Sequence, residues 1–168
     1  MYFIFIDPSG SFNEGKGHTG ISIIKDWDWN TLEVYSVAAK NFKTRLDYWN
    51  KILSFIININ DTKRVIIESF TIRTNGFLMG QMPETIQLIG ALSWHMDTLN
   101  IKYTFQSPSQ AKSRFKDSLL STYIPNFEKK SNGYYYLNGK RINDHIRDSL
   151  KHLLYYKKYH KDLYMTEL

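Results

Sequence analysis

The sequence predicts an α/β fold built on a mixed five-stranded sheet, with three antiparallel strands followed by parallel strands that alternate with helices. Three observations predict it. Three strand-like runs crowd into the first 38 residues, too close together for helical crossovers. Two later short apolar runs each follow a stretch with helical spacing. A long amphipathic stretch then follows the last of these strands.

The elements follow in order. Tyr2 to Ile6 is an apolar, aromatic run that stops at the turn signal Asp7-Pro8-Ser9-Gly10. Thr19 to Ile24 and Leu32 to Ala38 are the second and third strands, and the three form a meander. Leu46, Trp49, Ile52, Leu53, Ile56 and Ile57 fall at helical spacing and predict a helix over 44–59, ended by Asn60-Asp61. Arg64 to Ile67 is short and β-branched with polar flanks, the pattern of a buried parallel strand, and Glu68 stands at its carboxyl end. A polar loop at 71–75 leads to a helix over 83–99, then a short strand at 101–105. Ser107-Pro108-Ser109 opens another helix, since serine caps and proline is tolerated in a first turn. Residues 125–141 are polar and basic with two Asn-Gly turn signals and predict a small hairpin. Ile142 to Tyr159 predicts one helix with Ile146, Leu150, Leu153 and Leu154 inward. This is the ribonuclease-H-like order of elements.

The composition bounds the chemistry. At 168 residues the chain fits one domain, 1–168, with a core of ordinary size. The net charge of +6 suits an anionic partner such as nucleic acid, though basicity alone identifies none. The absence of cysteine excludes disulfides and thiolate metal sites, leaving Asp, Glu, His and backbone oxygens. Such hard donors favour magnesium, manganese or calcium over zinc. No apolar run approaches the roughly 18–20 residues of a membrane span, and the first residues lack the basic start of a signal peptide. A soluble cytoplasmic protein is the expectation.

Asp7 and Glu68 each end an apolar strand abruptly, and in this topology those strands are neighbours. Ligands of open α/β sheets gather at the carboxyl ends of strands. Either residue alone also reads as a turn or cap residue; the pair is harder to explain that way. The last helix adds Asp144, His145 and Asp148, and residues three and four apart share a helix face. Asp144 also suits a first-turn acid, favoured there by the helix dipole. Asp148 lies a turn deeper, beside Ile146 and Leu150. Carboxylates brought together from separate elements can bridge two hard cations about 4 Å apart, which activate a water and stabilise the leaving oxygen of a phosphoryl displacement. The chain has no P-loop, no HExxH and no thiol nucleophile, and its glycines at 10, 15, 17 and 20 suggest a flexible loop.

FIFIDPSG with HTGISII, VIIESF, FLMGQMPETIQLIGAL, YTFQSPSQAK and DHIRDSLKHLLYY resemble, in order, the motifs of RuvC-type Holliday junction resolvases, and of their phage branch in particular. The resemblance implies metal ligands at Asp7, Glu68 and Asp148, with either Asp144 or His145 as the fourth. It implies two ions, Mg2+ or Mn2+, per active site, a role for Lys112 at the scissile backbone, and a symmetric dimer that nicks branched DNA at two related points. It also implies the cytoplasm of a phage-infected bacterial cell. The helix over 83–99, with Gly90, Ala91 and Ser93, is the candidate dimer face, unless those small residues pack on the sheet.

Phosphate contacts are expected from Arg73, Lys112, Arg114, Lys116, Lys129, Lys130, Lys140 and Arg141. Phe70 and Phe77 flank the loop after Glu68 as candidates for base stacking or for core packing, with core preferred for Phe77, and Tyr134 to Tyr136 form either a stacking surface beside the basic residues or a hairpin with one buried face. The rival readings are a nuclease of the same fold acting on forks, flaps or RNA–DNA hybrids, a non-catalytic DNA-binding module, and an actin-like ATP-binding fold, which normally needs a second copy of the domain.

Overall fold

The computed structural model describes residues 1–70 and 83–160. Its main sheet has the strand order β3-β2-β1-β4-β5. Strands β1 (Tyr2–Asp7), β2 (His18–Lys25) and β3 (Asp28–Ala38) form the antiparallel meander. β4 (Thr62–Glu68) lies parallel to β1, and β5 (Tyr103–Gln106) parallel to β4. Helices α1 (Arg45–Ile57) and α2 (Pro83–Thr98) precede the two parallel strands. After β5 come α3 (Pro108–Arg114), α4 (Leu120–Tyr123), three short strands β6 (Phe127–Lys129), β7 (Tyr135–Leu137) and β8 (Lys140–Ile142), and α5 (Asp144–Tyr159). The ribonuclease-H-like order is therefore present. No helix among the described residues is long and apolar enough to cross a membrane.

Three differences from the sequence reading have a cause in local backbone or capping. β3 begins at Asp28 rather than Leu32, because Asp26 and Trp27 adopt left-handed backbone (φ 48° and 59°) and bring Asp28 straight onto Lys25. Residues 125–141 hold three strands rather than one hairpin: Asn138-Gly139 (φ 49° and 75°) turns β7 into β8, and β6 pairs on the other side of β7. Ile142 closes β8 instead of opening α5, whose cap is Asn143, accepting from the Ile146 N–H at 2.9 Å.

Strand alternation divides the core. Ile4, Ile6, Val65 and Ile67 point to the side covered by α1 and α2, together with Ile52, Leu88, Leu92 and Met96. Phe3, Phe5 and Ile66 point to the other side, against Ile146, Leu150 and Leu153 of α5. Asp7 continues the parity of Phe3 and Phe5, and Glu68 that of Ile66. Both carboxylates therefore face α5.

The outward face of α2 carries Ile86, Gly90 and Trp94, the last 65% exposed. A Cβ on Gly90 would meet nothing within 4 Å among the described residues, so packing on the sheet does not account for this glycine. Ala91 and Ser93 are half-buried. Gly10 and Gly20, in contrast, are places of close approach and not parts of a flexible loop. A Cβ on Gly10 would lie 2.1 Å from the Thr85 backbone nitrogen, and one on Gly20 2.1 Å from the His145 carbonyl oxygen. Gly20 thus lets the first turn of α5 rest on β2. Gly20→Ala is expected to destabilise the protein by about 3 kcal/mol, the scale of an overpacked core, measured by urea unfolding.

Candidate active site

Four strand ends form one row. Gly20 of β2 pairs with Asp7 of β1. Asp7 and Glu68 follow the last β1–β4 pair, Ile6 with Ile67. Glu68 in turn pairs with Gln106 of β5. The first turns of α5 lie over this row. His145, Asp148 and His152 are spaced by three and four residues, so they form one stripe above the strand ends.

Lys112 stands at the centre. Ser107 caps α3 in a reciprocal capping box with Gln110, which starts the helix beside the sheet. One turn on, the Lys112 ammonium lies 2.8 Å from Asp148 Oδ2, 2.9 Å from Glu68 Oε2 and 3.6 Å from Asp7 Oδ1. One lysine therefore gathers carboxylates from β1, β4 and α5. Each carboxylate also has a second partner. His145 Nδ1 lies 2.7 Å from Asp7 Oδ2, His152 Nε2 lies 2.6 Å from Glu68 Oε2, and Lys151 Nζ lies 2.8 Å from Asp148 Oδ1. Lys151 also binds Asp117 at 2.6 Å, and Asp117 binds Arg147 Nε at 2.9 Å.

Burial and charge pull these groups in opposite directions. Burial pushes the Asp7 carboxyl above its usual range, and the negative charge of Glu68 adds to this; the His145 hydrogen bond opposes it without winning. Burial also pushes Glu68 and Asp148 upward, but hydrogen bonds outweigh it, from His152 and Lys112 for Glu68 and from Lys112 and Lys151 for Asp148, and both stay below the carboxylate range. Burial would lower Lys112, yet the surrounding carboxylates hold it above its ordinary value. The hydrogen bond to Asp7 raises His145.

Asp7, Glu68, Asp148, His145 and Lys112 thus converge, as the sequence reading expects. Asp144 does not join them. It is exposed in the first turn of α5 and makes no hydrogen bond or ion pair among the described residues. Phe70 is exposed, at 41%, close after Glu68, so core packing does not account for it. Arg114, Lys116, Lys129, Lys130, Lys140 and Arg141 are exposed and lie outside the carboxylate cluster. Arg73, Phe77 and the glycine–glutamine pair at 80–81 fall outside the described residues. Sequence reasoning missed His152, Gln106, Lys151 and Asp117. Only His152 carried a signal, four residues beyond Asp148 on the same helical stripe.

The tyrosines of the predicted stacking surface each carry a cation over the ring. Arg141 lies 3.5 Å from the centre of the Tyr134 ring, Lys130 4.4 Å from that of Tyr136, and Arg147 4.5 Å from that of Tyr135. Each ring holds a cation over one face, and Tyr134 remains 48% exposed.

No protein-family model matches the chain, and no curated protein matches it by sequence. Among the solved structures that match its fold, two cover nearly the whole length as follows. One is T. thermophilus RuvC in complex with a Holliday junction substrate, with TM-score 0.64 and 13% identity over 96% of this chain and 95% of that one. The other is Thermus thermophilus RuvC, with TM-score 0.61 and 14% identity over 96% of both chains. At these identities the likeness establishes the fold.

Proposed function

We propose that this protein is a structure-selective endonuclease that nicks branched DNA such as Holliday junctions by metal-dependent phosphodiester hydrolysis. The observation that carries this reading is the meeting of Asp7, Glu68 and Asp148, from three separate elements, within 3.6 Å of one ammonium. Nothing in the packing of a sheet calls for three acids at one point, and such a cluster is costly unless a cation holds it. The matching fold of a RuvC bound to a junction supports the choice of substrate.

The donor set fits a hard divalent cation. It is all carboxylate and imidazole, and a monovalent cation already sits within it. In the arrangement described, no three His, Asp or Glu side chains among the described residues are close enough to ligate one ion, so the carboxylates must draw together around it. Asp7, Glu68 and Asp148 would hold the ions, two of Mg2+ or Mn2+ on our reading. His145 is favoured over Asp144 as the fourth ligand. An ionised Asp7 can only accept, so His145 Nδ1 donates to it, leaving Nε2 as the atom free to ligate in the neutral ring. Bound there, such ions supply an activated water and stabilise the charge on the leaving oxygen. Lys112 neutralises the cluster and is the side chain placed to hold the phosphate being cut. Asp117, through Lys151, fixes the angle of Asp148.

The β6–β8 sheet supplies DNA contacts outside the site. Residues 125–141 carry four basic side chains, Lys129, Lys130, Lys140 and Arg141, against one acid, Glu128. The ring contacts hold Lys130 and Arg141 in fixed positions on one face, and Arg147 ties Tyr135 to the start of α5. Fixed cations of this kind read phosphates and not bases. Replacing Lys130 and Arg141 together with alanine is expected to weaken binding equally for junctions of different sequence. The slope of log Kobs against log salt should also shrink by up to about 2, roughly 0.9 per lost phosphate contact. Anisotropy titrations without divalent ions measure this.

A homodimer through the exposed Ile86–Gly90–Trp94 face of α2 would match the two-fold symmetry of a four-way junction. The deciding experiment compares cleavage of four-way junctions, forks, flaps and RNA–DNA hybrids with Mg2+ or Mn2+. Preferential nicking of the junction supports the reading. Binding without cleavage under every metal condition favours a non-catalytic module, and preference for another substrate favours a related nuclease.

A further inference from the structure

The row of strand ends contains one arrangement that metal ligation does not use. Gln106 ends β5 directly beside Glu68, and His152 of α5 lies between the two side chains, completely buried. Its Nε2 is 2.6 Å from Glu68 Oε2, and its Nδ1 touches the Gln106 side-chain amide. An ionised Glu68 can only accept, so Nε2 carries the hydrogen. In a neutral imidazole Nδ1 then bears the lone pair and needs a donor. With its oxygen toward the ring, the Gln106 amide leaves its nitrogen buried and without a partner among the described residues. Turning the amide by half a revolution brings that NH2 onto Nδ1. The carbonyl oxygen left behind is the less costly group to leave unpartnered.

The result is a directed chain of hydrogen bonds from the end of β5 through α5 to Glu68. A histidine whose only task was to fill the core would be replaceable by an apolar side chain, with no need for a buried amide beside it. Here both ring nitrogens and both polar neighbours are engaged. We propose that Gln106 and His152 form a positioning pair: Gln106 fixes the imidazole tautomer, and the imidazole fixes the orientation of Glu68 as a ligand. The proposal rests on the nuclease reading above. Without His152, Glu68 keeps only Lys112 as a side-chain partner among the described residues, which contacts both of its oxygens at 2.9 and 3.1 Å, and the carboxylate is free to swing with that flexible lysine. Groups that orient metal ligands in this way typically account for about 10–100-fold in metal affinity or activity.

The test uses four proteins: wild type, His152→Leu, His152→Gln and Gln106→Met. Thermal unfolding is followed across a Mn2+ titration without DNA, and junction cleavage is measured at the same Mn2+ concentrations. His152→Leu is expected to raise the Mn2+ midpoint about 10–100-fold in both readouts. His152→Gln places an amide donor where Nε2 stood and should recover most of that loss. Gln106→Met should shift the midpoint in the same direction by a smaller factor. If the variants melt earlier but keep the wild-type Mn2+ midpoint, or if leucine and glutamine at 152 behave alike, the positioning role is overturned. A wild-type protein that neither responds to Mn2+ nor cleaves junctions overturns the nuclease reading instead, so the two failures are distinguishable.

Discussion

Asp7→Asn is expected to reduce junction cleavage by about a thousandfold or more while leaving the metal-free protein at least as stable as wild type. The first half follows from the chemistry. The substitution keeps the shape of the side chain but removes a charge that would hold the cation. A thousandfold loss corresponds to about 4 kcal/mol of transition-state stabilisation, within the several kcal/mol a catalytic metal supplies. The second half follows from burial. Asp7 is 5% exposed, and its carboxyl sits above its usual range because desolvation penalises the charge and Glu68 repels it. A carboxyl raised on folding costs stability as pH rises through its folded value, so above that range the ionised Asp7 strains the native state. The uncharged amide removes that cost, offset in part by the weaker bond to His145. Cleavage rates beside denaturant unfolding at pH 7 measure both halves. Wild-type cleavage by Asp7→Asn would end the metal mechanism. Loss of cleavage together with loss of folding would mean that Asp7 is structural. The same assay ranks the fourth ligand: His145→Asn is expected to cost more than Asp144→Asn, because His145 reaches Asp7 whereas Asp144 faces solvent.

Much of this site is legible in the sequence, for a simple reason. A buried parallel strand is apolar almost throughout, so a carboxylate at its end stands out against Ile4, Phe5 and Ile6 or Val65, Ile66 and Ile67. The strand order then makes Asp7 and Glu68 neighbours. Helical spacing likewise placed His145 and Asp148 on one face. The rest depends on contacts between elements, for which spacing has no signal. Gln106 matters only because β5 pairs with β4 in the register that sets it beside Glu68. Asp117 matters only because a short helical turn brings it to Lys151 and Arg147. Gly20 looked like part of a glycine-rich loop, whereas its lack of a side chain is what admits the backbone of His145. All three strands of the β6–β8 sheet have only three residues, too few to show alternation, so the sequence resolves one hairpin there instead of three strands.

Lys112→Met is expected to destabilise the metal-free protein by about 2 kcal/mol at pH 7, and to make its stability depend on divalent cations more steeply than that of wild type. The lysine is the charge shared by all three carboxylates. Breaking a buried ion pair by removing one partner costs roughly 3–5 kcal/mol. The Lys112 side chain is 33% exposed, and His145, His152 and Lys151 still contact the acids, so solvent and these neighbours reduce the figure. The pH dependence gives the sharper check. In wild type, Glu68 and Asp148 are held below their ordinary values, so their contribution is present above the unfolded carboxylate range and is lost as pH falls through the folded values. In the variant Asp148 loses the main opponent of its desolvation, and Glu68 loses the one that ranks after His152, so burial pushes these carboxyls upward. The difference in stability between the two proteins should therefore be largest near neutral pH and shrink as pH falls toward 4, where the acids are neutralised by protons instead of by lysine. Added Mn2+ should restore the melting temperature of the variant more than that of wild type, since a divalent ion entering the variant has no ammonium to displace. Unfolding midpoints at pH 7 and pH 4.5, each with and without Mn2+, measure all three effects. Equal destabilisation at both pH values, with no added response to Mn2+, would mean that Lys112 acts through packing of its aliphatic stem and not as the cation of the cluster.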